Sequence, residues 1–120
     1  MSLNRRNAKV VFSRLASQAL GLTTQQSLIF AKDEDTKNDW YLSILSSSET
    51  AAGLAIRNHK GSGYHEGNTP HCITCRALVT ELLDSLKAKK GASLLLAQTP
   101  KEIDGKKWYQ IMTAKPLRIN

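Results

Sequence analysis

At 120 residues, with 41% apolar and 22% charged side chains, the chain has the usage of a globular domain, not of a disordered or fibrous protein. One core is expected over residues 1–120, with no staples needed. Apolar runs such as Leu94-Leu95-Leu96-Ala97 fall far short of the roughly 20 residues of a membrane span, and two cysteines make no disulfide framework.

Arg14 and Gln18 interrupt the stretch where a secretory leader would need an unbroken apolar segment. The expectation is therefore a cytoplasmic protein with no membrane partner. Lysine and arginine outnumber acids 17 to 10, giving a net charge of +7, a balance that attracts polyanions at long range. The charge is also unevenly placed. Residues 1–32 hold Arg5, Arg6, Lys9, Arg14 and Lys32 with no acid, whereas Asp33, Glu34, Asp35 and Asp39 crowd the next stretch.

In chain order, Lys9 to Phe12 reads as a short strand. Ser13 then caps a helix over Arg14 to Leu20, with Gly21 as its left-handed stop and Leu15, Ala16, Ala19 and Leu20 toward the core. Ser27 to Lys32 and Trp40 to Leu45 are strand-like, and the polar segment between them joins them as a hairpin with an acidic tip. A strand over Gly53 to Asn58 leads into a glycine-bearing loop, His59 to Asn68.

Thr69-Pro70 has the chemistry of a helix start, and the helix is expected to run to about Lys90 before Gly91. A last hairpin, Ser93 to Gln98 with Lys107 to Ala114, is joined through Pro100 and Asp104-Gly105. Pro116 ends the pairing, and the final four residues are expected to trail. The fold class is thus α+β: an antiparallel sheet of about six strands with two helices. The parallel between Ser27 to Ala31 leading to Trp40-Tyr41 and Ser93 to Ala97 leading to Trp108-Tyr109 suggests a pseudo-twofold βαββ duplication, with half-repeats 9–45 and 53–114.

His59, His65, His71, Cys72 and Cys75 hold all the histidines and cysteines of the chain. His65, Cys72 and Cys75 are the candidate zinc ligands, but their separations match no standard finger. The competing reading places Cys72, Cys75, Val79, Leu82 and Leu86 on one apolar helix seam, since the positions repeat at three and four. Cys72-Ile73-Thr74-Cys75 lacks the parallel βαβ context of a redox site. A zinc deaminase would place its glutamate two after the histidine and its proline directly before the first cysteine, an arrangement missing here. No nucleophile, base and orienting acid assemble, and His59 to Tyr64 has no phosphate-loop spacing. Neither an enzyme nor a cofactor is implied.

What remains is a basic and aromatic set: Arg5, Arg6, Lys9 and Arg14 at the start, Arg57 and Lys60 around the loop, and Lys106 and Lys107 beside Trp108 and Tyr109. Basic groups neutralise phosphates and exposed rings stack on unpaired bases. Adjacent residues in a strand point to opposite faces, so one ring of each Trp-Tyr pair is expected in the core. The expected function is non-enzymatic nucleic-acid binding, the main alternatives being a protein-interaction or homodimerising module and a small metal-binding domain.

Val10 to Phe30, a strand, a short helix ending in Leu20-Gly21-Leu22 and a polar turn into a second strand, resembles the swapped-hairpin DNA-binding regulators of bacteria. It departs from them at Thr24-Gln25-Gln26, where that family has a Gly-Asp turn. The resemblance implies a dimer that binds DNA through its basic N-terminal arm.

Overall fold

The computed structural model describes residues 1–33, 35, 39–46, 53–59 and 70–120. In chain order the elements are β1 (Ser2–Asn4), β2 (Lys9–Phe12), α1 (Arg14–Leu20), β3 (Ser27–Lys32), β4 (Trp40–Leu45), β5 (Leu54–Ala55) and β6 (Arg57–Asn58). These are followed by β7 (His71–Thr74), α2 (Arg76–Ser85), β8 (Gly91–Ser93), β9 (Lys101–Ile103), β10 (Lys106–Ile111) and β11 (Arg118–Ile119).

The N-terminal elements follow from local chemistry. Alternation along β2 buries Val10 and Phe12 completely and turns Lys9 and Val11 to the other face. The Ser13 hydroxyl accepts the Ala16 N–H at 3.2 Å, and Gly21, at φ 65°, closes α1 with its N–H on the Gln18 carbonyl. Of the four α1 residues expected toward the core, Ala16 and Leu20 pack against it and the other two do not. Leu15 is 79% exposed and Ala19 is also exposed, while the buried residue is Ser17, whose hydroxyl donates to the Phe12 carbonyl at 3.3 Å.

Among the described residues the strands form two antiparallel sheets instead of the single sheet expected. Sheet I has six strands in the order β11-β8-β1-β2-β7-β6, and sheet II has five in the order β5-β3-β4-β10-β9. The β3–β4 hairpin pairs from Ser27↔Leu45 to Lys32↔Trp40, with the bounds the residues predict. The strand predicted over Gly53 to Asn58 is divided. β5 pairs with β3 in sheet II and β6 with β7 in sheet I, while Ile56 between them is 2% exposed and donates its N–H to the Gln26 carbonyl.

The second helix is shorter than predicted. Residues 71–74 are strand, because β7 forms four cross-strand pairs with β2 and sets Ile73 opposite Val10 in the core. Of the predicted seam, Val79 and Leu82 lie on α2; Cys72 is in β7 and Cys75 is the residue before the helix. The helix ends at Ser85, Lys87 just beyond it turns the chain at φ 57°, and Gly91 opens β8 instead of stopping a helix. A Cβ on Gly91 would lie 2.5 Å from the Leu3 carbonyl oxygen, so the close approach of β1 to β8 requires glycine there.

The last hairpin is β9–β10, turned by Asp104 and Gly105 at φ 52° and 78°, the two-residue primed turn that suits strand twist. Residues 95–97 still run beside β10, through Ala97 N–H to the Gln110 carbonyl and a Leu96↔Ile111 bridge. The C-terminal residues do not trail, since β11 pairs with β8. The duplication is unsupported: β3 pairs with β4 over six residues, whereas the matching segment is split, Ser93 in sheet I and Leu96 against sheet II.

Both sheets and α2 close on one hydrophobic cluster. Val10, Phe12 and Ile73 come from sheet I, Leu28, Trp40 and Leu42 from sheet II, and Val79, Leu82 and Leu83 from the helix. The fold is α+β in a broad sense and mostly strand. No helix among the described residues is long and apolar enough to cross a membrane.

Candidate nucleic-acid interface

The turn between β1 and β2 carries Arg5 and Arg6, and side chains from elsewhere hold it rigidly. The Asn4 carboxamide oxygen accepts the Arg6 and Asn7 N–H groups at 3.0 and 3.4 Å, and Ala8 adopts φ 57°. From α2, the Arg76 guanidinium donates to the Arg5 and Arg6 carbonyls at 3.1 and 3.3 Å. The Arg5 backbone N–H donates to the Lys90 carbonyl at 2.9 Å.

The side chains of Arg5 and Arg6 play different parts. The Arg5 guanidinium donates to Asp84 at 2.9 Å and to the Ala88 and Lys89 carbonyls at 2.7 and 2.9 Å, so it braces the segment after α2. Arg6 is exposed. The C-terminal strand closes the other wall: the Asn120 oxygen accepts the Lys90 and Gly91 N–H groups at 2.9 and 3.3 Å, and Arg118 Nε donates to the Asn120 side chain at 3.2 Å.

The result is a groove of about 930 Å³ lined by Arg5, Arg6, Lys89, Lys90 and Arg118, with Leu3, Asn4, Gly91 and Asn120. None of these lining residues carries a carboxylate side chain. Arg6, Lys89, Lys90 and Arg118 are all exposed. Such a concentration of one sign of charge in a concave site raises the local potential for anions.

The groove opens beside the outer face of sheet I. Register places Arg118, Ser93, Ser2, Val11, Cys72 and Arg57 in one row across six strands, opposite in facing to the buried Leu3, Val10, Ile73 and Ala92. Lys9 stands on the same face, paired with Asn4 and Thr74. Six strands span roughly 24 Å at the usual interstrand distance. Arginines therefore mark both ends of this face, which carries Ser2, Ser93 and Lys9 together with the half-buried Val11 and the buried Cys72. Lys9 and Arg57 also favour ionisation of the Cys72 thiol, but burial outweighs them and pushes its pKa up.

No protein-family model, curated protein or solved structure matches this chain.

Of the predicted basic set, the fold brings Arg5 and Arg6 together in the groove and sets Lys9 and Arg57 on the adjoining platform. Arg14 is exposed in the first turn of α1 and is not part of the groove lining. Lys106 and Lys107 begin β10 on sheet II, where they border a separate depression with Tyr109 and Ser43. Lys60 lies outside the described residues.

The aromatic pairs divide as alternation requires, with opposite choices in the two strands. Trp40 is 3% exposed in the core and Tyr41 faces out; Tyr109 packs against the core and Trp108 faces out.

The metal reading keeps two of its three residues in view, since His65 is outside the described residues. Cys72 is buried in β7 and Cys75 is half-buried at the start of α2. Among the described residues, no group of three His, Cys, Asp or Glu side chains is placed to hold a metal ion. His71 carries an unpartnered buried Nδ1, and burial lowers its pKa.

Sequence reasoning missed Lys89, Lys90 and Arg118. The lysines read as the charged end of a long helix and Arg118 as part of a loose tail, so their meeting with Arg6 depended on pairings that no local pattern announces.

Proposed function

We propose that this protein binds nucleic acid through the phosphate backbone, with Arg6, Lys89, Lys90 and Arg118 as the principal contacts and Lys9 and Arg57 extending the surface across sheet I. The observation that carries the reading is the groove itself, in which five cationic side chains from three chain segments, Arg5 among them paired with Asp84, converge without a carboxylate side chain in the lining. Each such contact releases condensed counterions, which supplies affinity without reading sequence. Arg5 takes a supporting part here, because its guanidinium is already engaged by Asp84 and two carbonyls.

The test compares two triple variants for affinity to a labelled duplex. Arg6→Ala/Lys89→Ala/Lys90→Ala is expected to weaken binding by at least tenfold, equally for unrelated sequences. Lys106→Ala/Lys107→Ala/Lys115→Ala removes the same formal charge outside the groove and is expected to weaken it far less. Equal losses in the two variants would reduce the reading to non-specific attraction by net charge.

A second reading is favoured by exposed apolar residues near the short edge strand β11. Leu117 and Ile119 are 63% and 47% exposed and Leu95 is 53% exposed. An unpaired strand edge beside apolar side chains is a surface that another chain can extend. Concentration-dependent self-association by sedimentation, lost on Leu117→Lys/Ile119→Lys, would support a protein-interaction module.

A further inference from the structure

A second concave site lies on the outer face of sheet II, and its chemistry differs from that of the groove. Tyr41 pairs with Gln110, two residues beyond Trp108 on the same face of β10, so the two rings are diagonal neighbours. Diagonal neighbours on an antiparallel pair are about 7–8 Å apart, within reach of aromatic side chains. Lys101 pairs directly with Trp108 from β9 and holds its ammonium 5.6 Å from the Tyr41 ring centroid. Tyr41, Trp108, Lys101 and the 53%-exposed Ile103 line a cleft of about 340 Å³, with Lys32 and Asp33 at its β3 side.

Each component selects for something. Two part-exposed rings and an isoleucine offer a flat apolar surface, which favours a planar ring. Lys32 is engaged, lying 5.4 Å from the Trp40 ring and 3.5 Å from Glu81. Lys101 is held by a cation–π contact that an anion can outbid. The Asp33 carboxylate already accepts the Asp35 N–H at 2.9 Å, and its charge disfavours an anion at its own end of the cleft. A ligand with a planar ring and a single negative group beside it satisfies all three conditions.

We infer that the Tyr41–Trp108 cleft takes an unpaired nucleobase, stacked on the rings, with its adjoining phosphate on Lys101. The inference rests on the nucleic-acid reading but uses other residues, and it assigns a preference for single-stranded segments that the groove does not supply. A base in a duplex is stacked on both faces and cannot enter. The ligand is a nucleotide unit, presented either by a strand or as a free mononucleotide.

Tryptophan emission reports the event, because Trp40 is buried in the core and Trp108 borders the cleft. Wild type, Trp108→Phe, Lys101→Ala and Tyr41→Leu are titrated with oligothymidylate, a blunt duplex of equal length and thymidine monophosphate. Oligothymidylate is expected to quench wild type saturably and to leave Trp108→Phe unquenched. Its affinity for Tyr41→Leu and Lys101→Ala falls by roughly tenfold, the usual scale of one stacked base, while duplex affinity, read by anisotropy of a labelled duplex, is unchanged. Saturable quenching by the monophosphate as well would identify the free nucleotide as a sufficient ligand; quenching by the oligomer only would identify the strand. Unchanged oligothymidylate affinity in Tyr41→Leu and Lys101→Ala would overturn the cleft while sparing the groove. If wild type binds neither oligomer, both fail.

Discussion

Arg5 and Asp84, 79 residues apart in sequence, meet at 2.9 Å, and the same guanidinium reaches the carbonyls of Ala88 and Lys89. One side chain thereby fixes the basic turn between β1 and β2 to the segment that supplies Lys89 and Lys90. Arg5→Ala is expected to lower stability by about 1–3 kcal/mol, since it removes several charge-assisted hydrogen bonds at once. Asp84→Asn leaves the carbonyl contacts in place, and at an exposed pair the loss is expected to stay below about 1 kcal/mol. Urea unfolding of the two variants checks the order.

Gly91→Ala tests the approach of β1 to β8. The new methyl would sit 2.5 Å from a backbone oxygen, which cannot swing aside as a side chain can. A destabilisation of about 1–3 kcal/mol is expected, the scale of an overpacked contact, with a parallel loss of nucleic-acid affinity as the groove wall shifts. The same unfolding and anisotropy measurements decide it.

The parts of the fold legible in the sequence are those governed by neighbours in the chain. The Ser13 cap, the Gly21 stop and the β3–β4 hairpin each rest on residues within a few positions or on strict alternation. What was illegible rests on distant pairing. β1 has one apolar residue, Leu3, and is ordered because β2 and β8 bond it on both sides. Residues 72–86 carry a three-four spacing that suits a helix, yet Ile73 is drawn into the core as a strand residue opposite Val10, and the helix begins only at Arg76. The groove was half-visible for the same reason: Arg5 and Arg6 stand out locally, whereas Lys89, Lys90 and Arg118 join them only through β8 and β11.

His71 gives the stability a predictable pH dependence. Burial lowers its folded pKa below the ordinary value of 6.5, so the fold favours the neutral ring. Its contribution is complete above about pH 6.5 and is lost as pH falls through the lowered folded value. Between about pH 7 and pH 5, wild type is expected to lose more stability than His71→Asn. A parallel decline in the two proteins would remove His71 as the cause.

Cys72 and Cys75 are expected to differ in reactivity. The thiolate is the nucleophile, and Cys72 is 4% exposed with its pKa raised by burial, so it is protected twice over. In native protein at about pH 8, a disulfide reagent is expected to modify Cys75 before Cys72, with the second thiol released on unfolding; mass spectrometry of the partly modified protein assigns the order. A faster reaction at Cys72 would mean that Lys9 and Arg57 outweigh burial at that thiol.

Joint action of Arg6, Lys89, Lys90 and Arg118 on phosphates is tested most directly by the salt dependence of duplex binding, followed by fluorescence anisotropy between about 50 and 200 mM salt. The groove predicts a steep linear fall of log affinity with log salt in wild type, and a slope shallower by about 0.9 for each contact removed in Arg6→Ala/Lys89→Ala/Lys90→Ala. A wild-type protein that fails to bind at the lower salt, or a variant whose slope equals that of wild type, would contradict it.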